Sequence, residues 1–318
     1  MTSTRKPAIS TVDLHKSFGD KVVLDGIDLT VAEGTIFSLL GPNGAGKTTT
    51  VHILSTLIPD YAGEARIADH DPRREPDAVR AAIGVTGQFA AVDDLLTGEE
   101  NLILMARLHH LGRREGRRRA GELLERFDLT DAARRPLVTY SGGMRRKLDL
   151  AMGLMGRPSI VFLDEPTTGL DPRSRRTMWQ IVRDLVTAGV TIFLTTQYLD
   201  EADELADRIA VLDHGRLIAQ GTPGELKRIV PGAHISLQFT DVDELEAAAR
   251  TLGEVSQDRT ALTLQVPSDG NLQSLRTVLD RLDASAVNAE GLQVHTPDLD
   301  DVFLALTGHT ENEKEPLR

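Results

Sequence analysis

The sequence predicts an α/β fold: a largely parallel sheet covered by helices on both faces, with an antiparallel β subdomain and a helical insertion, followed by a small α+β C-terminal domain. Three observations carry this expectation. Short apolar strand-like runs alternate with helix-like stretches over residues 1–229. A glycine-rich segment lies between one such run and one such helix. Charge is divided unevenly, with 16 Asp and Glu against 6 Lys and Arg in residues 230–318, and 32 against 30 in the rest, which points to two units of different character.

Residues 9–14 and 22–31 read as strands joined by polar turns. Residues 35–40 form an apolar run ending in the glycine-rich turn, and residues 46–57 then follow a helical pattern. From about residue 89 to 157 the pattern is mostly helical, broken at Gly112, Gly121 and Pro136. Strand signals return at 159–163, 190–195 and 208–212, with helices expected at 173–187 and 199–206. His214-Gly215 reads as the turn of a hairpin joining 208–213 to 216–220. Pro231-Gly232 marks a linker, so the first domain is expected over 1–229 and the second over 230–310. In the second, strands at 235–239, 261–266 and 291–295 alternate with helices at 241–252, 271–282 and 299–306, which suits helices packed on an antiparallel sheet. Residues 311–318 read as a disordered tail.

With 40% hydrophobic and 26% charged residues, the chain has the composition of an ordinary globular protein. Its best apolar runs are strand-length, well short of the ~18 residues of a membrane-spanning helix. The first ten residues lack the apolar stretch of a secretory signal. The absence of cysteine excludes disulfides and thiolate metal sites, and fits the cytoplasm. Neither half is basic overall, so no nucleic-acid partner is expected.

Gly41-Pro42-Asn43-Gly44-Ala45-Gly46-Lys47-Thr48, with Thr49 following, fits the pattern G-x-x-x-x-G-K-[ST] in the strand–turn–helix context it requires. The glycines let backbone N–H groups converge on phosphate oxygens, Lys47 adds a cation, and the helix N-terminus adds partial positive charge. Thr48 offers a hydroxyl to Mg²⁺. The apolar strand Ile160-Val161-Phe162-Leu163 ends in Asp164-Glu165. Asp164 is placed to hold Mg²⁺ through water, and Glu165 to act as general base toward an attacking water. About twenty residues earlier, Tyr140-Ser141-Gly142-Gly143-Met144 opens another helix and presents a second anion site. One nucleotide does not need two phosphate sites so far apart; two copies facing each other, each capping its partner's nucleotide, would use both.

In these motifs the chain resembles the nucleotide-binding domain of ABC transporters, a P-loop NTPase fold, over roughly residues 8–228. The resemblance implies ATP as substrate with Mg²⁺. It makes Gln88 the glutamine-loop residue and a metal ligand, Gly169-Leu170-Asp171 the D-loop, and Phe18 the aromatic that stacks on adenine. From its residues alone Phe18 could equally be a core position of a strand hairpin. Two departures stand out. The signature reads Tyr-Ser-Gly-Gly-Met rather than the commoner Leu-Ser-Gly-Gly-Gln, with Ser141, Gly142 and Gly143 intact. Gln197 stands where the family's switch histidine is usual; its amide can donate a hydrogen bond to the γ-phosphate but cannot carry a proton. Gln197, together with Leu299-Asp300-Asp301-Val302-Phe303-Leu304-Ala305-Leu306-Thr307-Gly308 near the end, makes the chain similar to the daunorubicin-resistance type of exporter ATPase. That resemblance implies a separate integral-membrane permease subunit, a nucleotide-sandwich dimer with a second copy, and a place at the cytoplasmic face of the membrane. The rival expectation is an ABC ATPase acting on the ribosome or nucleic acid. Such proteins usually carry two cassettes or a long coiled-coil insertion, and here there is one phosphate loop and no heptad run.

Other signals carry less weight. Residues 112–119 hold five arginines, and a solvated loop between helices is expected there, since no aromatics interleave. His109-His110 has no partner at ligand spacing. Trp179 reads as packing within its helix rather than as a binding platform. The acidic C-terminal domain is expected to serve subunit pairing or regulation.

Overall fold

The computed structural model describes residues 6–88, 91–230, 233–253, 255–268, 272–285, 287–295 and 297–308. The chain separates into two compact units, Met1–Pro223 and Gly224–Arg318. This division falls a few residues before the boundary expected at 229/230. The anticipated linker Pro231-Gly232 and the tail 311–318 lie outside the described residues.

The first unit opens with β1 (Pro7–Phe18) and β2 (Lys21–Ala32), continues through β3 (Ile36–Leu40), α1 (Lys47–Leu54), β4 (Ala62–Ile67), α2 (Pro76–Ala82) and β5 (Ile83–Thr86), and then enters a helical stretch. That stretch comprises α3 (Gly98–Leu108), α4 (Arg113–Arg126) and α5 (Gly142–Gly153). Next come β6 (Ile160–Asp164), α6 (Pro172–Thr187), β7 (Thr191–Thr196), α7 (Leu199–Leu205) and the hairpin β8 (Arg208–Asp213)–β9 (Arg216–Gly221). A six-stranded sheet of order β5-β6-β7-β3-β8-β9 forms the centre, parallel except for the β8–β9 hairpin. A separate antiparallel sheet of order β2-β1-β4 completes the unit.

Every residue of β3, β6 and β7 is buried, as strands covered on both faces must be. Side-chain alternation divides them between two cores. Phe37, Ile160, Phe162 and Phe193 face one core with Val51 and Ile53 of α1. Ile36, Val161, Leu163, Ile192 and Leu194 face the other, together with Leu102, Leu123 and Leu148 from the helical stretch and Val182 and Leu185 of α6. Phe193 sits at the middle of the first core, with its ring centroid 5.5 Å from those of Phe37 and Phe162.

The arginine-rich residues 113–119 are the first turns of α4, not the expected solvated loop. Arginine is a good helix former, and Arg118 pairs with Glu115 and Glu122 at helical spacings. Strands β4 and β5 and helix α2 were not anticipated from the sequence; β4 pairs with β1 (Ile9 opposite Ile67), and β5 lies parallel to β6.

Across the division lies the short helix α8 (Pro223–Lys227). The second unit holds an antiparallel sheet of order β11-β12-β10-β13, built from β10 (His234–Gln238), β11 (Ser256–Asp258), β12 (Thr263–Pro267) and β13 (Gly291–His295). Helices α9 (Val242–Leu252) and α10 (Leu272–Ala284) supply Leu245, Ala248, Val278 and Leu282 to a core with Ile235, Leu237 and Leu264. The last helix, α11 (Leu299–Thr307), starts at a capping box between Asp298 and Asp301.

Phe193→Ala is expected to lower the unfolding free energy by about 3–5 kcal/mol, because the vacated volume lies between two aromatic rings with no side chain free to fill it. Denaturant titration of the variant measures this directly.

Candidate functional site

The site forms where β6, β7 and β3 end side by side. Leu40 is registered opposite Thr196, and Thr195 opposite Asp164. Just past β3, the Gly41 N–H donates to the Thr196 carbonyl (3.2 Å), so the phosphate loop leaves the sheet beside the end of β7. Ligand sites at the carboxyl ends of parallel strands follow from this topology.

The loop's shape depends on two glycines. A Cβ on Gly41 would lie 2.2 Å from the Leu212 carbonyl oxygen. Gly46 has φ +114° and leads into α1, with Leu24 and Val23 packed where its Cβ would stand. A left-handed residue in such close quarters needs glycine. Lys47 is buried; its Nζ donates to the carbonyls of Gly41 (2.8 Å) and Pro42 (3.1 Å) and lies 3.3 Å from Glu165 Oε1. The Thr48 hydroxyl donates to Asp164 Oδ2 (2.9 Å), and the Thr195 hydroxyl donates to Asp164 Oδ1. Glu165 takes a left-handed backbone (φ +48°), unusual for a non-glycine residue, and its N–H donates to Thr195.

A cavity of about 330 Å³ is lined by Asn43, Gly44, Gly46, Lys47, Thr48 and Thr49, by Gln88 and Glu165, and by Lys21 and Val23 of β2. The residues around it fit a triphosphate with a hard divalent cation. The backbone turn and Lys47 suit phosphate oxygens, and Thr48 with Asp164 presents neutral and anionic oxygen donors side by side, with the Gln88 amide on the same cavity. Among the described residues no group of three or more His, Cys, Asp or Glu forms a metal site, so the cation's remaining ligands would be the phosphates and water.

Several expected site residues stand outside this cavity. Gly41, Pro42 and Ala45 shape the loop without lining it. Phe18 ends β1 half-exposed, with Lys16 Nζ 4.8 Å from its ring centroid, and does not line the cavity. Gln197 follows Thr196, half-buried and likewise outside the lining. Ser141 caps α5, accepting from the Met144 N–H (3.2 Å); it and Gly142 are exposed. Asp171 caps α6, its carboxylate accepting from the Ser174 N–H and hydroxyl. A Cβ on Gly143 would meet Ser174 Oγ at 2.7 Å, so the signature turn and the first turn of α6 lie together.

Sequence reasoning missed Lys21, Val23, Thr195 and Glu201. The first two come from β2 and have no motif around them. Glu201, in α7, is fully buried, and its Oε1 accepts from the Thr167 hydroxyl (2.8 Å) and the Trp179 indole N–H (3.0 Å). Trp179 therefore reaches beyond its own helix to join α6 to α7. Burial pushes the Glu201 carboxyl above its ordinary range, against the pull of these donors.

Residues 24–168 match the family described as ABC transporter. The chain is 50% identical to the daunorubicin resistance ATP-binding protein DrrA2 of Streptomyces coeruleorubidus over 311 residues, covering 96% of this chain and 97% of that one. A solved ATP binding subunit of an ABC transporter superposes with a TM-score of 0.63 at 27% identity, covering 70% of this chain and 92% of that one. An ATP-binding cassette solved as a dimer in a post-hydrolysis state, bound to ADP and Pi, gives 0.61 at 26%, covering 67% and 98%.

The raised Glu201 carboxyl makes the folded state hold a proton that the unfolded chain releases. The folded state is therefore penalised progressively as pH rises above the ordinary carboxylate range, and the penalty levels off above the raised native value. Glu201→Gln keeps the acceptor for Thr167 and Trp179 and removes the titration. The variant is expected to gain stability relative to the wild type as pH rises, in denaturation midpoints measured across that window.

Proposed function

Because this chain belongs to the ABC transporter family and is an ATP-binding and ATP-hydrolysing subunit, we propose that it powers export of a drug-like small molecule through a separate integral-membrane permease. The observation that carries the site reading is the convergence of Lys47, Thr48, Gln88 and Glu165 on one cavity, with Asp164 hydrogen-bonded to Thr48. The choice of cargo class rests on full-length similarity to a daunorubicin resistance ATP-binding protein. Among the described residues no helix is long and apolar enough to cross a membrane, and in this reading the chain works at the cytoplasmic face, held there by the permease.

The phosphate loop and Lys47 bind the β- and γ-phosphates, and Phe18 stacks on the adenine. Thr48 and Asp164, with Gln88 nearby, would hold Mg²⁺, which would supply positive charge to the phosphates. Asp164 is fixed for this by hydrogen bonds from Thr48 and Thr195 on either oxygen. Glu165 takes the proton of the attacking water, and Gln197 positions the γ-phosphate by donating a hydrogen bond from its amide. Ser141 and Gly142 lie exposed, Gly143 is half-buried, and all three stand outside the cavity, where they can cap the nucleotide of a second copy; Asp171, beside them, belongs to the same interface. ATP closes such a dimer only to the extent that it binds the closed state more tightly. Loss of the γ-phosphate removes that preference and reopens it.

Glu165→Gln keeps the shape of the site and removes the base. Phosphate release is expected to fall at least ~100-fold, and light scattering should find the variant dimeric with ATP and monomeric without it. A Glu165→Gln chain that stays monomeric in saturating ATP would count against the sandwich. Gln197→Ala is expected to lower turnover several-fold through loss of one hydrogen bond to the phosphate, and turnover at the wild-type rate would remove that role from Gln197.

A further inference from the structure

Arg146 and Asp149 lie one turn apart on α5, both buried, and outside every role described above. All five guanidinium N–H groups of Arg146 meet oxygen. Nε donates to the Pro166 carbonyl (2.9 Å), Nη2 to the carbonyls of Asp164 (3.0 Å) and Glu165 (3.2 Å), and Nη1 to the Gly87 carbonyl (2.6 Å) and Asp149 Oδ2 (3.4 Å). Asp149 Oδ1 in turn accepts from the Ala91 N–H (3.0 Å). Three consecutive carbonyls around Glu165 thus turn toward one planar cation, at the place where Glu165 itself is held left-handed. Gly87 and Ala91 stand on either side of Gln88.

We propose that Arg146 is a positioning residue for ATP hydrolysis. It holds the strained backbone that aims the Glu165 carboxylate and, with Asp149, fixes both flanks of Gln88 to the helix that begins at the signature turn. The inference rests on the reading of Glu165 as the base, and adds the group that sets it. A left-handed non-glycine residue persists only where its surroundings over-determine it; here a guanidinium fork with a donor for each carbonyl adds to the Thr195 oxygens that accept from the Glu165 N–H. Lysine keeps the charge but offers three donors from one point, so it cannot serve carbonyls 87, 164, 165 and 166 together. Burial disfavours both charges of the pair, raising the Asp149 carboxyl and lowering Arg146. A buried ion pair is a poor route to stability alone, which leaves orientation as the reason for it here.

The test compares wild type, Arg146→Lys and the neutral double variant Arg146→Met/Asp149→Leu in phosphate release with Mg-ATP. Rates are taken per folded site, with melting temperature and binding of a fluorescent ATP analogue measured on the same samples. Arg146→Lys is expected to bind the analogue with wild-type affinity and to lose 10- to 100-fold in kcat with KM unchanged. The double variant is expected to melt at or above Arg146→Lys without recovering kcat, because packing is restored and aim is not. Wild-type kcat in Arg146→Lys, or recovery of kcat along with stability in the double variant, overturns the proposal. If neither variant folds, Arg146 is structural support only and the proposal is likewise withdrawn. A wild-type chain that releases no phosphate counts against the reading of the site itself; an active wild type beside a fully active Arg146→Lys counts against Arg146 alone.

Discussion

The functional half of this molecule depends on the register of three parallel strands. β6, β7 and β3 lie side by side with Asp164 opposite Thr195 and Leu40 opposite Thr196, and the hydrogen bond from Gly41 to Thr196 carries that register into the phosphate loop. Residues separated by more than a hundred positions, such as Thr48 and Asp164, meet only because of it. A slip of one residue would send Asp164 and Thr195 to opposite faces. What prevents the slip is the division of side chains between the two cores: moving any of the three strands by one position would exchange the aromatic layer around Phe193 for the aliphatic layer around Ile192 and Leu194.

The same geometry explains what was legible in the sequence. The phosphate loop, the paired carboxylates after β6 and the signature turn are local features whose chemistry is written in consecutive residues, and the parallel strands show as short apolar runs. Strand β4 was not legible because its second residue is Gly63, which reads as a turn. In the fold Gly63 has φ +86°, and a Cβ there would lie 2.0 Å from the Asp13 carbonyl oxygen, at an irregularity in β1. The glycine is there for close backbone approach within a sheet. The arginine run was misread for a related reason. Gly112 and Gly121 look like loop punctuation, yet α4 starts directly after Gly112 and runs through Gly116 and Gly121; a Cβ on Gly116 would come within 2.9 Å of Ala106 of α3. Arg146 and Glu201 left no local pattern, since most of their partners lie well away in the sequence and those of Arg146 are mainly backbone carbonyls.

Buried polar groups at this site are arranged in networks, with Glu201 Oε2 left without a hydrogen-bond partner. Thr195 serves Asp164 and the backbone of Glu165 at once, Glu201 gathers a hydroxyl and an indole, and Arg146 uses every donor it has. Polar groups in a low-dielectric interior specify one arrangement when satisfied and are costly when not. That gives the region around Glu165 a rigidity that the apolar cores alone would not impose, and it lets an unfavourable backbone conformation stand at the point where it is needed.

The hairpin between β8 and β9 adds a further constraint. Its Gly215 N–H donates to the carbonyl of Ala45 inside the phosphate loop, while its carbonyl accepts from the Asp25 N–H of β2; a Cβ on Gly215 would sit 2.5 Å from the Val23 carbonyl oxygen. The turn is a wedge between the antiparallel sheet and the loop, and it braces the loop from behind. A cradle held in this way is shaped before its guest arrives, so little ordering entropy is spent on capture. Mobility in the working cycle must then come from outside the pocket floor.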